Sequence, residues 1–296
     1  MIDHADLVQL REEGTLIEYH PHDCMLYALA VGMGRDPLDR QELPYVMGPT
    51  IQVLPSMAAT LARRNSIALL SRSGMDATRA LFGQQSLHLH GSLPAGGRLL
   101  ADGRVVAAFD KGPARGAVVH LETILRRQDT GDPVATAAIV AVLRGDGGYG
   151  GPSGTIPGPP MLPDRVADHL VLSRTHPNQA LLYRLTGDEN PIHADPDLAQ
   201  ALGFDRPILH GLCTYGIACH AVLRVACGLD PGCLAELVLK FSAPVLPGDT
   251  IQTQLWMESE YVLFGCSAIE RNVPVGFGMA KVNRARLAVD RQDAGA

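Results

Sequence analysis

Residues 211–227 read GLCTYGIACHAVLRVAC. Leu212, Tyr215, Cys219, Val222, Leu223 and Ala226 recur at helical spacing and make an apolar stripe. The spacing predicts a long helix from about Leu212 to Cys227. Gly211, Gly216, Ala218, Cys219 and Ala221 keep that helix slim. A slim apolar helix is one that a curved antiparallel sheet can wrap around.

The strands for such a sheet follow at once. ELVLKFSAPV (236–245), DTIQTQLWMES (249–259), YVLFGCSAIE (261–270) and FGMAKVNRA (277–285) are strand-like runs separated by short turns. The first half of the chain repeats the plan. MLYALAVGMGRDP (25–37) parallels LLYRLTGDENPIH (181–193), and MGPTIQVLPSMAATLA parallels HGLCTYGIACHAVLR. Strand-like RVVAAFD, GAVVHLETILRR and ATAAIVAVLR come after, and an LPAGG turn answers LPGDT. Helices first and strands after predict an α+β class with antiparallel pairing. The expectation is a duplicated unit: two antiparallel sheets, each wrapped around a central helix.

Residues 145–163, GDGGYGGPSGTIPGPPMLP, suit neither a helix nor a central strand and read as a linker. The halves are therefore placed at 1–150 and 160–296. Gly145, Gly147 and Gly150 spell a formal GxGxxG, but they lead into Pro152 and not into a helix, so a dinucleotide site is not expected there.

The 296 residues carry a net charge of −6, which argues against nucleic acid as the main partner. Apolar residues make up 46% and aromatics only 5%, so the core must be built from Val, Leu, Ile and Ala. Cys24, Cys213, Cys219, Cys227, Cys233 and Cys266 show no disulfide-framework or CxxC spacing and read as reduced, mostly buried thiols. No apolar run reaches about 18 residues, so no membrane association is expected. No signal peptide opens the chain and RQDAGA is not a peroxisomal address, so a cytoplasmic location is expected.

The chemistry concentrates in YRLTGDENPIH (183–193). Gly187 allows a sharp helix exit and Pro191 stiffens the loop, so Asp188, Asn190 and His193 share one rigid connection. A carboxylate beside an imidazole can grip a water near neutral pH, which suits general acid–base catalysis. Asp195-Pro196 reads as an N-cap with Pro at the first helical position, and Gly203 ends that helix. Eighteen residues after His193, Gly211 opens the long helix. Its backbone N–H has no intrahelical acceptor and can meet a carbonyl oxygen closely. His210 is expected to cap the helix or bond locally. In the first half, Gly32 and Pro37 stand where Asp188 and His193 stand in the second, so that half lacks the ionisable pair. The parts suit addition of water across a double bond conjugated to a thioester. A metal-dependent hydrolase using Asp188, His193 and His210 remains an alternative. His88 and His90 alternate on a strand without a third partner and read as structural.

YRLTGDENPIHADPDLA (183–199) resembles the hydratase 2 motif of the MaoC-like enoyl-CoA hydratases. Its pattern is Tyr, then Gly-Asp-x-Asn-Pro-x-His, then a small residue, here Ala199. DCMLYALAVG, DKG, LRGDGGYGG, RPILHGLCTYG and KFSAPVLPGDTIQTQLW extend the resemblance over nearly the whole chain. The resemblance implies a double hot-dog fold and hydration of trans-2-enoyl-CoA to (R)-3-hydroxyacyl-CoA with no metal or organic cofactor. It implies Asp188 and His193 as the catalytic pair, Asn190 as their support and the Gly211 amide as the oxyanion donor. Substrate contacts are implied at Phe82, Gly83, Lys111, Glu189, Pro191, Ile192 and Phe241. The first half would hold the acyl tail without catalysing. Eukaryotic members usually read His-Gly-Glu-Gln where this chain has Phe82-Gly83-Gln84-Gln85, which puts the acyl pocket in question. A bulky steroid side-chain or branched enoyl-CoA, or a non-catalytic acyl-CoA binding role, are the competing readings. Lys111, Lys240, Lys281, Arg284 and Arg286 are candidates for the CoA phosphates. A homodimer is implied.

Overall fold

The computed structural model describes residues 2–76 and 80–283, so Arg284 and Arg286 lie outside the described residues. The chain divides into two compact units. One comprises residues 1–18, 58–91 and 97–158, and the other residues 19–57, 92–96 and 159–296. Residues 19–57, in the first half of the sequence, thus cluster with the second.

The first unit holds helix α1 (His4–Gln9), most of helix α4 (Met57–Arg72) and five strands: β1 (Arg11–Tyr19), β2 (Ala80–Leu89), β3 (Gly97–Asp110), β4 (Ala117–Arg127) and β5 (Pro133–Leu143). Their order is β1-β3-β4-β5-β2. Alternation is sharp in β4, where Ala117, Val119, Leu121, Thr123 and Leu125 are buried between half-exposed neighbours. Leu69 and Leu70 of α4 join Val105, Val119, Leu121, Ile139 and Leu143 in one apolar cluster. Buried Asn65 ties α4 to the sheet by donating to Ala101 O at 3.3 Å and Glu12 O at 2.9 Å.

The second unit holds α2 (Pro21–Ala30), α3 (Leu43–Val46), α5 (Gln179–Tyr183), α6 (Pro196–Ala201) and α7 (Gly211–Ala226). Its strands are β6 (His169–Arg174), β7 (Leu234–Phe241), β8 (Thr250–Met257), β9 (Val262–Ala268) and β10 (Val273–Val282), in the order β7-β10-β9-β8-β6. The decisive helix forms within a residue of its predicted ends. Twelve of its 16 residues are buried, so it is covered nearly all round and not along one stripe. It lies against β6, β7, β8 and β9, and Tyr215 Oη donates to Leu237 O at 2.8 Å. Gly216 allows α2 to come close: a Cβ there would stand 2.5 Å from Val31 Cγ1 and 2.8 Å from Tyr27 Oη.

The polar side of α7 meets buried Glu42. Its carboxylate accepts from Gly34 N at 2.7 Å and pairs with His220 and Arg224, and Arg224 also reaches Asp39 at 2.7 Å. Burial pushes the Glu42 carboxyl up, but the bonds from His220, Arg224 and the Gly34 amide outweigh it and hold the pKa at about 2.

Within each unit the strands pair antiparallel, in the order given for that unit. Strands β1 and β6 were not foreseen, because REEGTLIEY and HLVLSR carry polar residues and expose much of their length. All six cysteines are buried thiols not joined in disulfides. Among the described residues, no helix is long and apolar enough to cross a membrane.

Candidate active site

Helix α5 ends in a 3-10 turn, Arg184–Thr186, and Gly187 reverses the chain at φ +109°. Asp188 follows and is 3% exposed. Asn190 caps the 3-10 turn Pro191–His193: its Oδ1 accepts from Ile192 N at 3.2 Å, and its own N–H reaches Asp188 Oδ1 at 3.3 Å. His193 N in turn donates to Asn190 O at 3.2 Å. Asp195 then caps α6 by accepting from Asp197 and Leu198, and Gly203 ends the excursion with φ +86°. The loop is therefore fixed by bonds inside itself, which is what six residues dense in Gly, Asp, Asn and Pro can do.

Two further bonds set the imidazoles. His193 Nδ1 lies 2.8 Å from Ile208 O, and His210 Nε2 lies 3.0 Å from Asp188 O. A carbonyl only accepts, so both nitrogens carry the proton. In the neutral rings the lone pair then sits on His193 Nε2 and on His210 Nδ1. The rings stack with centroids 3.7 Å apart and planes 28° apart. Tyr183 packs on the other partner, 4.9 Å from the His210 ring, and Tyr27 meets Tyr183 edge-on at 6.1 Å. Asp188, His193 and His210 each bring a ligand-type atom within 4.8 Å of the others.

His210 corrects the sequence reading. It occupies the N-cap position of α7, yet its side chain makes no capping bond and reaches back 22 residues to Asp188. Fully buried, it is a buttress between the loop and the helix. No local pattern announces this, since His210 gains its partner only when α5 and α7 come together. Gly211 opens α7 half-buried beside it. Glu189 and Pro191 are exposed, Ile192 is buried, and Phe241 is half-buried at the end of β7.

The remaining candidates lie in the first unit. Phe82 and Gly83 sit where the β2–β5 register shifts, and a Cβ on Gly83 would press on Val142 and on Val140 O. Lys111 Nζ donates to Gly154 O. Asp110 beside it accepts from the backbone of Gly112, Gly148 and Gly150 at 2.7–2.8 Å, and these amides hold its carboxyl below the usual range. The glycine-rich 145–151 segment is thus anchored on the DKG turn. Lys281 pairs with Glu236 at 2.8 Å, while Lys240 is exposed, 5.9 Å from the Phe277 ring. His88 and His90 are exposed with rings 4.9 Å apart, and His90 bonds Thr136 at 2.8 Å.

Residues 17–145 match the MFE-2 hydratase 2 N-terminal domain, and residues 161–275 match the MaoC-like domain. Enoyl-CoA hydratase 2, peroxisomal, of Arabidopsis thaliana is 34% identical over 284 residues, covering 90% of this chain and 91% of that protein. This chain belongs to the MaoC-like hydratase 2 family. The 3-hydroxyacyl-thioester dehydratase Y of Mycobacterium tuberculosis is also similar to this hydratase 2 chain, at 38% identity over 245 residues, 82% of this chain and 84% of that one. Among solved structures, a MaoC-like dehydratase from Phytophthora capsici superposes with a TM-score of 0.83 at 28% identity, covering 95% of this chain and 98% of the other. A Mycobacterium tuberculosis protein described as having a double hotdog fold superposes at 0.60 with 17% identity, over 95% and 98% of the two chains, and speaks for the fold alone.

Proposed function

We propose that this hydratase 2 chain hydrates trans-2-enoyl-CoA to (R)-3-hydroxyacyl-CoA, a reversible hydro-lyase reaction of fatty-acid-type β-oxidation. The observation that carries the reading is the fixed pair in one loop: a buried Asp188 carboxylate and a His193 whose Nδ1–H is committed to Ile208 O. His193 Nε2 and the carboxylate are both acceptors, and a water donates one O–H to each. Its oxygen bonds to C3 of the enoyl group, one O–H bond breaks, and a proton passes through the pair to C2. The π electrons shift onto the thioester oxygen on the way, as an enolate. The Gly211 amide, at the positive end of α7, is the donor for that oxygen. Losing such a donor typically costs about 100- to 1000-fold in rate. Which of Asp188 and His193 holds the proton in transit is a property of the coupled pair.

In this reading residues 160–296 are the catalytic module, with α7 as its central helix. Residues 1–150 form a non-catalytic module built on α4 that holds the acyl tail. Phe82, Gly83, Lys111, Glu189, Pro191, Ile192 and Phe241 contact the substrate. The reaction uses no metal and no organic cofactor, and the enzyme works as a cytoplasmic homodimer. The relatives' names support the activity, since they specify enoyl-CoA hydratase 2 and 3-hydroxyacyl-thioester dehydratase.

One observation favours a variant of the reading. Phe82 stands at the bulge in β2, in the stretch that departs from the eukaryotic pattern, so a bulky steroid side-chain or branched enoyl-CoA is the second candidate substrate. The test is a panel of crotonyl-CoA, trans-2-decenoyl-CoA and branched or ring-bearing enoyl-CoA esters. Loss of enoyl absorbance is followed and the product is resolved chirally. An (R)-3-hydroxy product supports the reaction, and the preferred chain defines the pocket. An (S) product, or turnover of none of them by folded protein, contradicts it.

A further inference from the structure

We propose that strand β6 is the surface on which two copies of this chain join, edge to edge, about a two-fold axis through Val171. The homodimer belongs to the preceding reading, and this surface rests on it; the edge supplies the face and the register.

In the second unit β6 stands last in the strand order, and β8 is its one paired neighbour among the described residues. The pairing runs from His169 opposite Leu255 to Arg174 opposite Thr250 without a bulge. Just past its end Thr175 N donates to Asp249 O at 2.9 Å, so the odd-numbered residues turn their backbone groups towards β8. Leu170, Leu172 and Arg174 therefore turn theirs to the outer edge. Such an edge is a template for another strand, and proteins that stay single blunt it with charges, proline or a bulge. The outer strand of the first unit is blunted in this way: β1, REEGTLIEY, carries Arg11, Glu12, Glu13 and Glu18. In contrast β6, HLVLSR, has no proline and no bulge, and its one fixed charge is the terminal Arg174. It holds Leu170 and Leu172 on one face, 53% and 57% exposed.

This edge is complementary to itself. Laid antiparallel about Val171, each Leu170 stands opposite Leu172 of the second copy, His169 opposite Ser173, and Asp168 opposite Arg174. The Leu170–Leu172 pairs are then the hydrogen-bonded ones, as their outward N–H and C=O groups require, and Val171 meets its own copy in a non-hydrogen-bonded pair. Moving the axis to Leu170 or to Leu172 would set a leucine against Asp168 or Arg174, so the sequence selects one register. The charges agree with it. Asp168 shares Arg165 with Glu258, at 2.8 and 3.0 Å, so two carboxylates stand around one guanidinium. Arg174 of the second copy brings a positive charge to that end. In its own chain Arg174 lies near Glu270, which is already bonded to Thr250 N at 2.8 Å.

The experiment uses the full-length chain and sedimentation velocity over a range of concentrations, with circular dichroism as the check on folding. Wild type should sediment at twice the chain mass. Leu172→Lys changes an exposed side chain and should keep the fold. It should weaken the dimer at least about 100-fold, because one substitution acts twice across a two-fold axis. Val171→Cys is the independent probe. Across the axis its Cα stands about 4.5 Å from its own copy, within reach of a disulfide, so oxidised glutathione should link the two chains covalently. Leu172→Cys is the control: its copy lies roughly 8–9 Å away, too far to bridge. The native cysteines are all buried, so wild type should not link. A wild-type dimer that Leu172→Lys leaves intact and Val171→Cys does not link overturns this surface, while the homodimer stands. Wild type that is monomeric at every concentration overturns both. Neither result depends on enoyl-CoA turnover, so the hydratase chemistry is judged separately.

Discussion

Replacing His210 with alanine removes a donor from a buried carbonyl and a ring from between two aromatic neighbours. The bond to Asp188 O is 3.0 Å long and the residue is fully buried, so its loss costs about 1–3 kcal/mol. The ring contacts to His193 and Tyr183, at 3.7 and 4.9 Å, add about 0.5–1.5 kcal/mol. Together they predict a loss of about 2–4 kcal/mol, or on the order of 5–15 °C in Tm for a chain of this size. The catalytic effect follows from position. Asp188 and His193 lean on His210 from two directions, and a misplacement of about 1 Å costs about 100-fold in kcat. KM should change far less, because His210 is buried away from solvent. His210→Gln keeps the donor to Asp188 O and should recover a good part of both losses. Differential scanning fluorimetry and steady-state kinetics on the three proteins make the comparison. Wild-type kcat in His210→Ala would refute the argument, as would a glutamine variant no better than alanine.

Other expectations follow from packing and charge. Gly216→Ala puts a methyl 2.5 Å from Val31 Cγ1, and overpacking of about 1–3 kcal/mol outweighs the helix-propensity gain of about 1 kcal/mol. Its Tm should fall, and a second change, Val31→Ala, should restore much of it; a Gly216→Ala chain as stable as wild type removes the close approach from the account. Glu42 has a folded pKa of about 2 against an ordinary 4.5, so its carboxylate stabilises the fold fully above pH 4.5, and that contribution disappears as pH falls towards 2. The difference corresponds to about 3 kcal/mol. Urea midpoints of wild type should fall steeply between pH 5 and 3, and those of Glu42→Gln, lower at pH 7, should fall less. Equal slopes would contradict the Glu42–His220–Arg224 network. The buried thiols of Cys24 and Cys219, each pushed up to about 11 by burial, should resist iodoacetamide in native protein at pH 8 and react after unfolding.

The long helix and the turns of the 187–195 loop were legible because both are written locally. Small residues at fixed spacing define α7, and Gly187, Asn190, Pro191 and Asp195 each close a turn with near neighbours. Tyr27 and Tyr183, which the sequence reading aligns with each other, meet edge-on in the second unit. What escaped depends on distant partners. Buried Cys24, Tyr27, Ala28 and Ala30 make α2 part of the second unit, where Ala30 O accepts from Gln179 and from Cys213 Sγ at 3.5 Å. Glycine-rich residues 145–151 read as a linker, because only the folded chain brings their amides to Asp110. His210 likewise finds Asp188 only once α5 and α7 have packed.

The central claim is that one short loop supplies the chemistry. It is tested most directly by single-turnover hydration of trans-2-decenoyl-CoA with wild type, Asp188→Asn and His193→Ala. Binding of the 3-hydroxyacyl-CoA product is measured by calorimetry on the same samples. The account predicts that the wild type forms the (R) product. Each variant should lose at least about 100-fold in rate, the lower bound for general acid–base catalysis. Each should keep product affinity within a few-fold. Full-rate hydration in both variants, or loss of rate that follows only from loss of binding, would contradict it.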